Sequence, residues 1–185
     1  MPRVYIGVGS NIDPELNIPA ALGLLKSKGR IAGVSTFYRT QAIASSNASG
    51  SLLPRSIGAE FYNGVIRFET CYEARELKFE VLRGIEQALG RVRSDDKCAP
   101  RPIDLDIVVY GDEVIDEPDM VIPDPEIPAR AFLAVPLLEL EPEIVLPGMS
   151  ARLADVCVFD ASAMTALDEF TDMLRREAIR RVASA

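Results

Sequence analysis

The order in which strand-like and helix-like patterns succeed one another constrains this chain more than any single residue does. The run RVYIGVGSN, from Arg3 to Asn11, is β-branched and aromatic and ends on Gly-Ser-Asn, as a strand entering a turn does. Asp13 and Pro14 then suit a helix start, a carboxylate to cap and a proline for the first turn. Ala20, Leu22, Leu24 and Leu25 help give that helix an apolar face, and Gly29 is expected to end it. Strand patterning resumes from Ala32 to Ile43 and again from Phe61 to Thr70. Thr70 and Glu73 have the spacing of a capping box. The helix it opens repeats Leu77, Val81, Ile85 and Leu89 at four-residue intervals and stops at Gly90. Ile103 to Asp116 returns to a strand and a turn. The β-α-β-β-α-β order predicts an α+β fold with a ferredoxin-like core, an antiparallel sheet carrying both helices on one face.

Helical additions follow that core. VIPDPEIPARAF leads into a short helix through LAVPLLELEP, and residues 160–185 are expected to form one more amphipathic helix with Leu167, Phe170 and Leu174 on one face. Residues 1–160 are therefore read as one α/β sandwich domain, and 161–185 as a helical extension of it. A chain of 185 residues buries roughly 70% of its unfolded surface and needs no disulfide or metal to fold. No apolar run nears the ~18 residues of a membrane span, and the N-terminus lacks a signal-peptide core. A reducing cytoplasm is the expected setting. The stretches Ala44 to Glu60 and Ser94 to Pro102 have no clear period and are expected to be loops that close over a ligand.

Composition removes several chemistries. There is no histidine, and the three cysteines are widely spaced, so zinc sites and Ser-His or Cys-His pairs are excluded. The net charge of −8, from 20 basic and 28 acidic residues, repels nucleic acid and anionic membranes. An anionic ligand must then be held by a local basic cluster or through a bound cation.

The segment CAPRPIDLDIVVYGD, from Cys98 to Asp112, offers both. Side chains alternate in a strand, so Ile103, Leu105 and Ile107 point to the helices while Asp104 and Asp106 share the opposite face. Two like charges placed there gain nothing from packing. Scattered charge on a solvated face would explain a lone Asp-x-Asp, but Arg101 precedes this pair and Arg91 and Arg93 close the preceding helix. Close carboxylates suit Mg²⁺, which prefers oxygen and is usually shared with substrate phosphates. The arginines suit bidentate contacts to phosphate oxygens.

The segment KCAPRPIDLDIV, from Lys97 to Val108, resembles the signature of the 6-hydroxymethyl-7,8-dihydropterin pyrophosphokinase family. YIGVGSN, FYRTQAI, FYNGVIRFET, LGRVR, YGDEVID and IPARAFLAVPLLELEPE look like the family's other blocks in the family's order, from about Val4 to Gly148. The resemblance implies a transfer of pyrophosphate from ATP to the pterin's hydroxymethyl oxygen, giving AMP, with two Mg²⁺ ions.

It also implies roles for particular residues. Asp104 and Asp106 match the metal-binding aspartates, and Arg91 and Arg101 the arginines that contact phosphates and help catalysis. Arg93 and Arg130 match further nucleotide contacts, with Glu86, Ile107 and Asp124 on the ATP side. Thr40, Phe61, Asn63 and Phe132 fall where the family reads the pterin. Asn63 offers a donor and an acceptor, and the two phenylalanines suit a flat ring. Taken alone, the phenylalanines would pass for core, and Arg91 and Arg93 for charges complementing a helix C-terminus. The chain departs from the resemblance at Asp124, where many relatives carry histidine between prolines, and at Cys98, where some carry an aromatic. The expected partners are ATP and the pterin, with no nucleic acid or membrane, and a monomer or a weak homodimer through the C-terminal helix. Two other readings use the same residues: a weak or inactive paralogue that binds nucleotide or pterin, and a kinase for another acceptor alcohol.

Overall fold

In the computed structural model, β1 (Arg3–Ser10) is buried along almost its whole length because it lies inside the sheet with protein on both faces. The structure describes residues 1–41, 60–92 and 99–179. Position 93 and the Cys98 departure lie outside these, as do residues 44–59 and 94–98 of the two expected closing loops.

β1 pairs antiparallel with β4 (Glu60–Glu69) on one side and with β5 (Asp104–Tyr110) on the other. The expected single strand over 32–43 is broken into β2 (Arg30–Val34) and β3 (Tyr38–Gln41), which pair with β4 in succession. Ser35 bridges the break: its N–H donates to Val65 O at 3.0 Å and its Oγ accepts from Val65 N–H at 2.9 Å. β6 (Ile115–Glu117) and β7 (Met120–Ile122) form a separate ribbon. The short β8 (Thr165–Ala166) adds to the edge of β3.

Helix α1 (Pro14–Lys26) buries Ile18, Ala21, Leu22 and Leu25, while Leu24 faces solvent. It ends before Gly29. That glycine serves a different need, since a Cβ there would lie 2.5 Å from Glu69 O. Helix α2 runs through consecutive stretches Ala74–Glu76, Leu77–Leu82 in π-helical form, and Arg83–Ala88. The capping box does not form. Glu73 occupies the cap position without a side-chain bond, and Thr70 Oγ1 accepts from Tyr72 N–H at 3.3 Å in the preceding turn. Gly90, at φ +86°, does follow the helix end, where a left-handed residue closes the last turn.

α1 and α2 pack on one face of the sheet, against Val4, Ile6, Val8, Ile66 and Phe68. The other face is covered too. Helices α3 (Ala131–Leu140) and α4 (Leu153–Val156) bring Ala134, Leu137 and Leu153 against Tyr5, Val65, Val108 and Val109. A bulge makes this possible, because Tyr5 pairs with Val109 and Ile6 with Ile107, leaving Val108 over and turning both valines to the same cluster.

The last helix, α5 (Asp168–Ile179), starts later than expected, because residues 161–166 make a turn and β8. Its apolar face is used within its own chain. Leu174 is fully buried, Phe170 meets Phe37 and Tyr62 edge-on at 5.8 and 5.6 Å, and Thr171 Oγ1 accepts from Phe37 N–H at 2.9 Å. No helix among the described residues is long and apolar enough to cross a membrane.

Candidate functional site

β5 displays the expected two faces. Ile103, Leu105 and Ile107 are buried in the helix-side core, and Asp104 and Asp106 look the other way. Opposite the aspartates β1 has no side chains at all, since Gly9 pairs with Asp104 and Gly7 with Asp106. A Cβ on Gly9 would come within 2.9 Å of Asn63 Oδ1, and one on Gly7 within 3.1 Å of Val108 Cγ2. The glycines therefore form the floor of a cleft of about 200 Å³, whose walls include Phe61, Asn63, Phe132, Asp124 and both aspartates.

Asp104 is held between two guanidinium groups. Arg91 Nη1 donates to its Oδ1, and Arg101 Nη1 to its Oδ2 at 2.6 Å. Arg91 is itself anchored from below by the buried carboxylate of Glu86, whose Oε1 also accepts the Leu105 N–H at 2.9 Å. Burial alone works against the Arg91 charge, but Asp104 and Glu86 outweigh it and raise its pKa. Arg101 is fixed through its main chain, donating N–H to Asn11 Oδ1 at 2.6 Å and accepting from Asn11 N–H at 3.2 Å. Its guanidinium lies 5.9 Å from the centre of the Phe61 ring, within reach of a cation–π contact.

Asp106 differs from its neighbour. Its side chain is 57% exposed and its nearest cation, Lys78 Nζ, lies 3.8 Å away. Protein crowding at the cleft floor and then the Asp104 charge push its pKa up to about 6, against the pull of Lys78 and Arg91. Asp124 sits beside it along the edge of β5, with its N–H on Val108 O at 2.9 Å and its Oδ1 accepting from Glu126 N–H at 2.8 Å. Desolvation raises the Asp124 pKa as well.

On the other side of Gly9, Asn63 Nδ2 donates to Thr40 Oγ1 at 2.8 Å across the β3–β4 pair, with its Oδ1 turned toward Gly9. Phe132, in the first turn of α3, lines the same cleft as Phe61. The fold thus gathers Asp104, Asp106, Arg91, Arg101, Glu86, Asp124, Thr40, Phe61, Asn63 and Phe132 around one end of the sheet. Two expected ATP-side residues fare differently. The Ile107 side chain lies in the helix-side core, which leaves only its main chain for a ligand. Arg130 is spent on Glu126, 2.8 Å away, rather than on the aspartate pair.

Among the described residues, no group of three or more Asp, Glu, Cys or His could hold a metal ion. The aspartate pair alone still fits Mg²⁺, which commonly takes one or two carboxylates and completes its shell with waters and substrate phosphates. Gly9 and Asn11 read in the sequence only as the end of a strand and its turn, and Gly7 and Lys78 have no separate reading there. A glycine inside a strand does signal close approach, and Gly7 and Gly9 stand two apart in β1, but their pairing with the aspartates depends on register.

The family model described as 7,8-dihydro-6-hydroxymethylpterin-pyrophosphokinase matches residues 5–142, a span that contains every residue of this site. The chain is 34% identical over 148 residues to the 2-amino-4-hydroxy-6-hydroxymethyldihydropteridine pyrophosphokinase of Pseudomonas aeruginosa, covering 78% of this chain and 84% of that protein. The protein of the same name from Aquifex aeolicus is 32% identical over 148 residues, covering 80% and 85%. The folic acid synthesis protein fol1 of Pneumocystis carinii is 34% identical over 153 residues, 82% of this chain but 19% of that longer protein. Among solved structures, one titled as HPPK-DHPS in complex with substrates superposes with a TM-score of 0.59 at 14% identity, over 84% of this chain and 42% of that one. It supports a shared fold of helices and antiparallel sheet.

Proposed function

Because the chain belongs to the 7,8-dihydro-6-hydroxymethylpterin-pyrophosphokinase family, we propose that it transfers pyrophosphate from ATP to the hydroxymethyl group of 6-hydroxymethyl-7,8-dihydropterin, a step of folate biosynthesis. The hydroxymethyl oxygen forms a bond to the β-phosphorus and loses its proton to water. The bond between the β-phosphorus and the α,β-bridging oxygen breaks, and that oxygen leaves on AMP with the electron pair.

The observation that carries this reading is the aspartate pair facing a glycine floor, with Asn63 and two phenylalanines on the far side. Asn63 and Thr40 would read the edge of the pterin while Phe61 and Phe132 take its faces. Asp104 and Asp106 would hold two Mg²⁺ ions, which supply neutralisation of the triphosphate. Arg91 and Arg101 carry five N–H donors each in a planar fork, which suits them to phosphate oxygens beside Asp104. Glu86 and Asn11 hold those arginines in place, so orientation and preset charge lower the barrier.

The reading of the core as ferredoxin-like is supported by the strand order. The last core strand, β5, lies beside the first, β1, the first beside β4, and β4 beside the divided second strand. Packing of α5 on β2 and α1 supports treating residues 161–185 as part of one domain. The free thiols Cys71 and Cys157 suit a reducing cytoplasm. A catalytically silent paralogue is not favoured, because the charged cluster of Asp104, Asp106, Arg91 and Arg101 is intact. The test is AMP formation from ATP, Mg²⁺ and 6-hydroxymethyl-7,8-dihydropterin. Acceptor-dependent AMP is expected, and its absence at micromolar protein would overturn the proposal.

A further inference from the structure

Lys78, in the π-helical stretch of α2, reaches across to Asp106 of β5. Its Nζ is 3.8 Å from Asp106 Oδ1, close enough for an ion pair and too far for a hydrogen bond. Its side chain is only 20% exposed. Three arginines named for the site are engaged: Arg91 on Glu86 and Asp104, Arg101 on Asp104, Arg130 on Glu126. Lys78, by contrast, makes no hydrogen bond to a described residue through its ammonium. Most of the side chain is packed away, while the ammonium makes one long contact, to Asp106, and its three donors can turn to an anion that comes nearer. The cleft that its partner Asp106 lines is acidic, with Asp104, Asp106, Asp124 and Glu126 on its walls.

We propose that Lys78 is an exchangeable counter-cation, pairing with Asp106 when no divalent ion is there and donating to the phosphate oxygens of the nucleotide once one is. The proposal rests on the pyrophosphokinase reading above. A divalent ion on Asp106 makes the present ammonium position repulsive. The four-carbon stem of lysine lets the charge move without disturbing the helix. Phosphate oxygens bound to that same ion become the nearest anions. Lys78 therefore competes with the metal and cooperates with the triphosphate.

Those opposite signs give the test. Calorimetric titrations would compare wild type, Lys78→Met and Lys78→Arg for Mg²⁺ alone, for α,β-methylene-ATP with saturating Mg²⁺, for adenosine, and for the pterin. In Lys78→Met, Mg²⁺ alone should bind several-fold tighter, because its competitor is gone. The Mg²⁺–nucleotide analogue should bind about ten- to a hundredfold weaker, the loss of one hydrogen bond to a charged group. Adenosine and pterin affinities should not move, and Lys78→Arg should restore the nucleotide. Unchanged nucleotide binding in Lys78→Met overturns the role of Lys78 and leaves the reaction standing. So does a parallel weakening of Mg²⁺, adenosine, nucleotide and pterin, which marks a structural role. If wild type itself binds no Mg²⁺–nucleotide, the pyrophosphokinase reading fails and takes this proposal with it.

Discussion

At its N-terminal end β1 contributes Arg3 and Tyr5 to a cavity of about 520 Å³ shared with Glu141 and Glu143. At its other end Gly7 and Gly9 floor a cleft of about 200 Å³ shared with Asp104 and Asp106. In the larger cavity Glu141 accepts from both Arg3 Nη1 at 3.0 Å and the Tyr5 hydroxyl at 3.1 Å, so each of these charges is answered locally. In the smaller one, two carboxylates from the same face of one strand are kept together, and the pKa of Asp106 is driven up to about 6. Volume would select the first end. Charge arranged against its own local stability selects the second, because folding alone gives no reason to keep it.

The largest expected contrast between the ends is in turnover. Asp104→Ala or Asp106→Ala should lower AMP formation by about 10²–10³-fold, the usual loss for one preorganised charge contact. Arg3→Ala and Glu141→Ala should leave it within about twofold of wild type, as expected for partners in a surface ion pair. Equal losses at both ends would break the comparison.

Next comes Glu86→Ala, which strands the Leu105 N–H and takes from Arg91 its buried carboxylate, leaving it Asp104. Breaking a buried pair from one side costs about 3–5 kcal/mol, so a denaturant melt should lose at least about 3 kcal/mol. Glu141→Ala should lose less than about 1 kcal/mol.

Gly9→Ala should raise the pterin KM roughly tenfold with the fold intact, since its Cβ would meet Asn63 Oδ1 at 2.9 Å. An unchanged KM would mean that the floor is not the pterin surface.

The smallest effect is in pH dependence, and its sign follows from the raised Asp106 pKa. A carboxyl whose folded pKa is raised stabilises the fold in acid and loses that contribution as pH rises through about 6. Metal-free Asp106→Asn should therefore melt above wild type at neutral pH, with the gap closing toward about pH 4, near the unfolded value. The Mg²⁺ affinity of wild type should fall as pH drops through the same region, where the proton competes for the carboxylate. A pH-independent gap would remove Asp106 from the cleft electrostatics.

Much of this was legible from residue spacing. The two faces of β5 follow from the alternation Ile103, Asp104, Leu105, Asp106, and the core side of α2 from Leu77, Val81 and Ile85. Local signals failed where tertiary demands replaced them. Thr70 and Glu73 look like a capping box, yet Thr70 is buried and bonds the preceding turn. Gly29 looks like a helix stop, yet it is small because β4 passes against it. Residues 161–166 look helical, yet they make a turn and then β8, which extends the edge of β3 before α5 begins.

By itself the amino-acid order determined which face of each element is apolar, and that Asp104 and Asp106 share the face away from the core, because both follow from periods of two and of about four residues along one segment. The partners of those residues were decided only by the tertiary fold. That Gly9 lies across from Asp104, that Asn11 anchors Arg101, and that Lys78 reaches Asp106 depend on strand register and on how a helix crosses a sheet edge. Those are distances between segments far apart in the chain, and no local period encodes them.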